Sequence, residues 1–353
     1  VRLSVIVPFH RNLSQLARCL RPLADRPPDS ELIVVADGAV EDCQGPVTEA
    51  RGALMEISGP VGPAIARNRG AARARGEILL FVDSDVVVPP EIVRRLVDIF
   101  DTQPEIDAVF GAYDEEPGDA GYVSQYKNLA HSFVHQSSQS DARTFWAGFG
   151  AVRRPVFVDA GGFDERFRRP SMEDIDLGYR MWRRGRRILM DHTLRVCHLK
   201  RWTIRSLVMT DIFDRGIPWT QLILREGRLD DDLNIRVSQR ASVVLAFLLV
   251  GLLVGTWWRP WLLVPAAASA ALLVGLSWPL YQFFLSRRGP LFTLGVVPLQ
   301  LLYHLYNGLS FAIGAGVFLA ERWLGLRLPG AVPQTRWGGP LPSSNAARLT
   351  DSG

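Results

Sequence analysis

The chain has 353 residues, 48% of them hydrophobic, and a formal net charge of +4. That length suffices for one large domain or two smaller ones. No Lys/Arg stripe alternates with aromatics, so nothing calls for a nucleic-acid partner. Three scattered cysteines, Cys19, Cys43 and Cys197, with no CxxC pair, argue against a disulfide framework and a structural zinc site and for a reducing compartment.

In chain order, Leu3-Ser4-Val5-Ile6-Val7-Pro8 reads as an apolar strand ended by proline, and Leu13, Leu16, Leu20 and Leu23 recur at helical spacing. Glu31 to Ala36 is a second strand, closed by Asp37-Gly38; a weaker one lies near Ala53–Ile57. Gly62 to Gly76 is a helix rich in Ala and Arg, including Arg67, Arg69, Arg73 and Arg75. Arginine can hold phosphate through a bidentate fork, though most of these also suit a solvated helix face. Neither GxxxxGK[ST] nor GxGxxG appears. The apolar run Ile78–Val82 then ends in Asp83-Ser84-Asp85. Spacing two puts both carboxylates on one side of an extended chain, where they repel unless something positive lies between them. Alternating strands and helices predict a parallel sheet covered on both faces, with ligands beyond the carboxyl ends of its strands. Pro8, Asp37 and the Asp83/Asp85 pair all fall at such ends.

Further on, Trp146-Ala147-Gly148-Phe149-Gly150 precedes another strand, and Gly161-Gly162-Phe163-Asp164 reads as a turn. Glu173-Asp174-Ile175-Asp176 opens a helix, where negative charge is favoured and acids also serve as plain caps. His198 stands alone, followed by Arg201-Trp202. Residues 206–238 read as an amphipathic linker; from Trp202 to Arg236, Arg201, Arg205, Arg215 and Arg225 alternate with apolar side chains, a pattern suited to anionic headgroups or to packing beneath the preceding domain. From 239 to 325 the composition changes. Uncharged runs at about 241–258, 261–285 and 291–320 each reach the roughly 17–25 residues that cross a bilayer. Trp257, Trp258, Trp261, Trp278, Tyr281 and Trp323 lie near their ends, as interfacial aromatics do. Arg236, Arg240, Arg287 and Arg288 flank them, which predicts a multi-pass inner-membrane protein with residues 1–238 in the cytoplasm. Residues 326–353, rich in Pro, Gly and Ser, read as a disordered tail on the opposite side. The first residues already read as a strand, so no leader segment is expected before the domain.

Together, LSVIVPFHRN, ELIVVADG, GPAIARNRGAARARGEILLFVDSD, AGFGAVRRPVFVDAGGFDERF and MEDIDLGYRMWRRGRR resemble the family 2 inverting glycosyltransferases, over about residues 1–205 and in the family's order. The resemblance implies a GT-A fold, an α/β domain with a Rossmann-like mixed sheet, followed here by a helical transmembrane region. It implies a nucleotide-sugar donor and Mg²⁺ or Mn²⁺, since a diphosphate sits against two carboxylates only across a hard cation. Asp83-Ser84-Asp85 matches the DxD motif, with Asp85 the metal ligand and Asp83 on the ribose or the cation. Pro8 and Asp37 match the base pocket, and Arg67 is the donor-side arginine. Where the family carries two acids this chain has Ala36-Asp37, which leaves the base of the donor open. Asp174 matches the catalytic base, Glu173 an acceptor contact, and Trp146 a wall of the acceptor pocket. His198 matches a histidine that completes the metal site in many GT-A enzymes. Arg201 and Trp202 would touch the diphosphate or the acceptor. His198-Leu199-Lys200-Arg201-Trp202 also resembles the QxxRW motif of processive synthases, with His for Gln and a short spacing from Asp174. The expected activity is transfer of one sugar to a lipid or lipid-linked glycan. The rivals are a processive polysaccharide synthase, a sugar nucleotidyltransferase and a non-catalytic membrane scaffold.

Overall fold

β-Branched and aromatic residues in the first strands leave no polar side, and the computed structural model buries them on both faces of one sheet. It describes residues 1–38, 41–227 and 236–325. Chain order runs β1 (Leu3–Phe9), α1 (Leu13–Leu23), β2 (Ser30–Asp37), α2 (Gln44–Glu49), β3 (Ala53–Ile57), α3 (Pro63–Arg73), β4 (Ile78–Val82), β5 (Val86–Val87) and α4 (Pro90–Thr102). Then come β6 (Ala108–Tyr113), α5 (Tyr122–Gln136), β7 (Asp141–Ala142), β8 (Phe149–Arg153), α6 (Arg154–Asp159), α7 (Glu173–Arg183) and β9 (Ile188–His198).

The sheet order is β3-β2-β1-β4-β8-β6-β9-β5, with β7 beside β9. The first four strands are parallel, as βαβ crossovers require. Beyond β4 the all-parallel expectation gives way: β8 is antiparallel to both β4 and β6, and β5 is antiparallel to β9. The two-residue β5 pairs directly with the end of β9, and β8 runs between β4 and β6 in the opposite direction to both. One core lies under α1, α2 and α4, and a second under α3, α6 and α7.

After β9 the chain forms α8 (Ile204–Met209), a π-helical turn over Thr210–Gly216, and α9 (Ile217–Glu226). Part of the expected linker, residues 228–235, lies outside the described residues, as does the tail at 326–353. Next come α10 (Val237–Gly255), α11 (Leu263–Leu276) and α12 (Trp278–Leu324), which bends sharply at Gly289, where φ is +80°. Among the described residues, α10 and α12 are long and apolar enough to cross a membrane. The run expected to span over 261–285 is not one helix. It ends at Ser277, and Leu280, Tyr281 and Phe284 instead pack on Tyr126, Leu129 and Trp202. Pro279 fits where it stands, in the first turn of the next helix, where its missing N–H costs nothing.

Candidate active site

The acids singled out in the sequence meet above β1, β2 and β4. Asp83 leaves the end of β4 with its N–H bonded to the carbonyl of Gly148 (3.1 Å), so the Trp146–Gly148 loop lies beside it. Arg67, on α3 and 4% exposed, reaches the same place. Its Nη2 donates to Asp83 Oδ1 at 2.7 Å and its Nη1 to Glu173 Oε1 at 2.8 Å. Of the two acids that follow β4, it supplies a positive partner for Asp83 alone; Asp85 takes its neighbours elsewhere. The arrangement also corrects the expected role of Arg67: both prongs of its fork are taken by carboxylates, so it ties α3, β4 and α7 together instead of offering a fork to phosphate. Glu173 is likewise committed, since its second oxygen accepts from the Ser171 N–H at 2.8 Å. It is buried, and the expected acceptor contact falls to its neighbour.

That neighbour is Asp174, in the first turn of α7. Its Oδ1 accepts from its successor's N–H, Ile175, at 2.8 Å, and its Oδ2 from Ala147 N–H at 3.1 Å. The second bond exists because α7 packs directly on the Thr144–Phe145 backbone, where Gly178 leaves no room for a Cβ. Burial, reinforced by the Glu173 carboxylate, pushes the Asp174 carboxyl up to about 7, against the pull of Arg67 and the two N–H groups. A carboxyl poised there is half ionised near neutrality and suited to take a proton.

Asp85 faces the other way. The β5–β9 pairing sets Val86 opposite His198, and Leu199 N–H donates to the Asp85 carbonyl at 2.8 Å. His198 Nε2 then lies 3.4 Å from Asp85 Oδ2. On the far edge of the ring, His198 Nδ1 lies 2.6 Å from Asn128 Oδ1, and Tyr113 stacks on the ring face with centroids 4.4 Å apart. With Asn128 accepting, Nδ1 carries a proton, and Nε2 either donates a second proton to the carboxylate or turns a lone pair toward it. Two acceptors so close require a proton or a cation between them. An oxygen and an imidazole nitrogen are donors that Mg²⁺ and, more readily, Mn²⁺ accept. Burial alone would raise the Asp85 carboxyl, but His198 and Lys200 outweigh it and hold it below its ordinary value. Among the described residues no three His, Cys, Asp or Glu converge on one metal position, so protein donors would supply part of a coordination shell and phosphate or water the rest.

The remaining candidates divide. Pro8 is the last residue but one of β1, opposite Val35 of β2, and both Asp37 oxygens accept backbone N–H groups, from Val61 (2.7 Å) and Gly62 (2.8 Å). Asp37 therefore shapes the turn that enters α3. Trp146 is half-buried and edge-on to Tyr113 at 4.7 Å, on the wall of the site. Arg201 is exposed. Trp202 is 3% exposed, which overturns its reading as an acceptor platform. It packs against α5 and the start of α12, with Lys200 Nζ 4.2 Å from its ring and Lys127 and Arg215 each 5.9 Å away.

α5 carries none of the motifs quoted above. It supplies Asn128 behind His198, and Lys127, which pairs with Asp211 of the π-helical turn at 2.6 Å. Lys127, His131 and His135, spaced by four, lie on one face of a helix that also carries Ser124, Gln125, Asn128, Ser132 and Gln136.

Residues 4–160 match the family model described as Glycosyl transferase family 2. The chain carries a family 2 glycosyltransferase domain of the GT-A fold. Among curated proteins, a pre-mycofactocin glycosyltransferase of Mycobacterium tuberculosis is 27% identical over 225 residues, covering 60% of this chain and 46% of that protein. A validoxylamine A glucosyltransferase of Streptomyces hygroscopicus subsp. limoneus is 26% identical over 220 residues, covering 52% of this chain and 48% of that one. The chain thus spans about half the length of these two relatives. Among solved structures, a mannosyltransferase of Pyrobaculum calidifontis in complex with GDP-Man and Mn²⁺ superposes with a TM-score of 0.51 at 15% identity, over 92% of this chain and 88% of that one. At that identity the likeness concerns the fold.

Proposed function

We propose that this glycosyltransferase domain moves one sugar from a nucleoside-diphosphate sugar to a hydroxyl of a lipid or lipid-linked glycan, with inversion, using Mg²⁺ or Mn²⁺. The observation that carries the reading is the division of labour among the acids. Among the described residues Asp174, whose carboxyl is raised to about 7, has no cationic partner in hydrogen-bond contact, while Asp85 and His198 lie together apart from it and would serve as a donor pair. The known binding of GDP-Man and Mn²⁺ by the structural neighbour agrees with that pair.

In this reading the acceptor hydroxyl attacks the anomeric carbon as its proton passes to Asp174. The bond from that carbon to the diphosphate oxygen breaks, and the nucleoside diphosphate leaves. A divalent cation held by Asp85 and His198 would neutralise charge on the departing diphosphate. Arg67 keeps Asp83 and Glu173 in place. Ala147 N–H fixes the direction in which Asp174 points. The apolar helices that follow the domain support an acceptor with a lipid portion.

The test is nucleotide release by detergent-purified protein. UDP-, GDP- and TDP-sugars are supplied with Mn²⁺ and a lipid extract, with Asp174→Asn and Asp85→Ala alongside. Release with one donor, lost in both variants, is the expected result. Metal-independent release, or release retained in Asp174→Asn, would refute the assignment.

A further inference from the structure

By length and composition α12 is a candidate span, yet its contacts are not those of one. Along one face it meets the catalytic domain from end to end. Tyr122 of α5 donates to the Phe292 carbonyl (2.8 Å) and Tyr126 to Gln300 Oε1 (3.1 Å). Tyr306 donates to Asp211 (2.7 Å), and Glu321 pairs with Arg225 of α9 (2.9 Å), both side chains mostly buried. Between Phe292 and Glu321 the helix rises about 44 Å, more than the roughly 30 Å of a hydrocarbon core. For α12 to cross a bilayer, its partners would have to cross with it. Those partners are the helix that holds Asn128 against His198 and the segment carrying Asp211, Asp214, Arg215 and Arg225. Ionised groups in such number are not carried to bilayer depth.

The opposite face of α12 is apolar and open: Leu291, Leu294, Leu309, Leu319 and Trp323 are exposed. The hairpin of α10 and α11 is seated on that same side. Leu301 and Leu305 pack with Ala246 and Leu249, and Gly308 lies against Val243 and Phe247. At the hairpin's far end Trp257, Trp258 and Trp261 are 88%, 68% and 65% exposed. Where the chain returns, Arg287 pairs with Glu115 (2.5 Å) and Arg288 donates to Gln125 (2.9 Å), both on the catalytic domain.

We infer that α12 lies in the plane of the bilayer surface as a platform between the catalytic domain and the lipid, and that the α10–α11 hairpin alone enters the bilayer. The occupant of the open face of α12 is the lipid surface itself, because that face continues the apolar outside of the hairpin. Gly325 then leaves α12 on the side of the catalytic domain. This reverses the sequence-based placement of the tail. The inference rests on the membrane reading of the proposed function.

The experiment uses the full chain in sealed membrane vesicles, with Cys197→Ser as background and a membrane-impermeant maleimide as probe. Single cysteines are placed at exposed Ser14 of the catalytic domain (Ser14→Cys), at the hairpin tip (Arg259→Cys) and in the tail (Ser343→Cys). Ser14→Cys and Ser343→Cys are expected to label from one side and Arg259→Cys from the other. Labelling of Ser343→Cys together with Arg259→Cys would overturn the inference, since α12 would then cross. So would labelling of all three from one side in a carbonate-resistant protein. Release of the protein by carbonate would overturn the membrane reading beneath it, a separate outcome. In the same vesicles, nitroxides at Leu294→Cys and Leu319→Cys are expected at depths within about one helical turn, 5.4 Å. Depths differing by something on the order of 30 Å would also refute an in-plane helix.

Discussion

Replacing Asp174 by Asn is expected to abolish transfer and yet make the protein more stable above neutral pH. The carboxyl is raised from 3.8 to about 7, chiefly by burial and by Glu173. A shift of about three units corresponds to about 4 kcal/mol of strain in the ionised form at high pH. Two effects reduce what the variant recovers. Asp174 is partly open to solvent, which screens the cost. An amide has one carbonyl oxygen for two N–H groups, Ala147 and Ile175, so one bond worth about 1 kcal/mol is lost. The net gain is about 1–3 kcal/mol, or about 2–4 °C per kcal/mol for a domain of this size. The sign is set by linkage. A carboxyl raised in the folded state costs nothing below its unfolded pKa, and the cost grows as pH rises and levels off above the folded value. The variant should therefore be level with the parent or up to about 1 kcal/mol below it at pH 4, gain on it between pH 4 and 7, and keep a constant advantage to pH 8.5. Thermal unfolding followed by tryptophan fluorescence across that range measures it. A gain that does not vary with pH, or a variant less stable at pH 8.5, would refute the argument that Asp174 is held ionised at a cost.

The transfer rate of the parent protein should rise about tenfold per pH unit on the acid side and flatten near pH 7, because the ionised form of Asp174 is the base; a profile flat down to pH 5 contradicts this. Arg67→Met strands Asp83 and the buried Glu173, and should cost about 3–5 kcal/mol by thermal or chemical denaturation; a loss below about 1 kcal/mol would show the bridge to be idle. Lys127→Met and Asp211→Asn should each destabilise by a similar amount, while the double variant recovers at least half of the summed loss; simple additivity would contradict a coupled pair. Asn128→Leu should weaken Mn²⁺ binding by about 10–100-fold in calorimetry with UDP present, without removing a ligand; unchanged affinity would deny Asn128 any hold on His198.

The parallel half of the sheet was legible because β1, β2 and β4 are short runs dominated by apolar residues and followed by polar punctuation. The antiparallel half was not, since the direction of β8 is set by its neighbours and not by its own residues. The DxD and ED acids were found by their pattern and spacing, and the structure brings both motifs to Arg67, 106 residues from Glu173 in the chain. Which partner each acid takes is a tertiary fact, and so Arg67 and Asp37 changed roles once their hydrogen bonds were known. Trp202 was misread because a tryptophan beside Arg201 in a polar stretch looks exposed, although a neighbouring helix buries it. Asn128 escaped notice because nothing in YVSQYKNLAHSFVHQ marks which of its polar residues points at His198. The apolar runs disclosed their lengths, whereas the breaks at Ser277 and Gly289 depend on backbone geometry that hydropathy does not register.

A single guanidinium holding Asp83 and Glu173 has a mechanical meaning as well as an electrical one. The strand that presents the DxD motif and the helix that presents the base cannot drift apart without stretching two charge-assisted bonds made by a guanidinium that is itself buried. Those two parts therefore travel as one rigid body. Whatever opens to admit an acceptor has to be sought outside that body, in the segments that flank it.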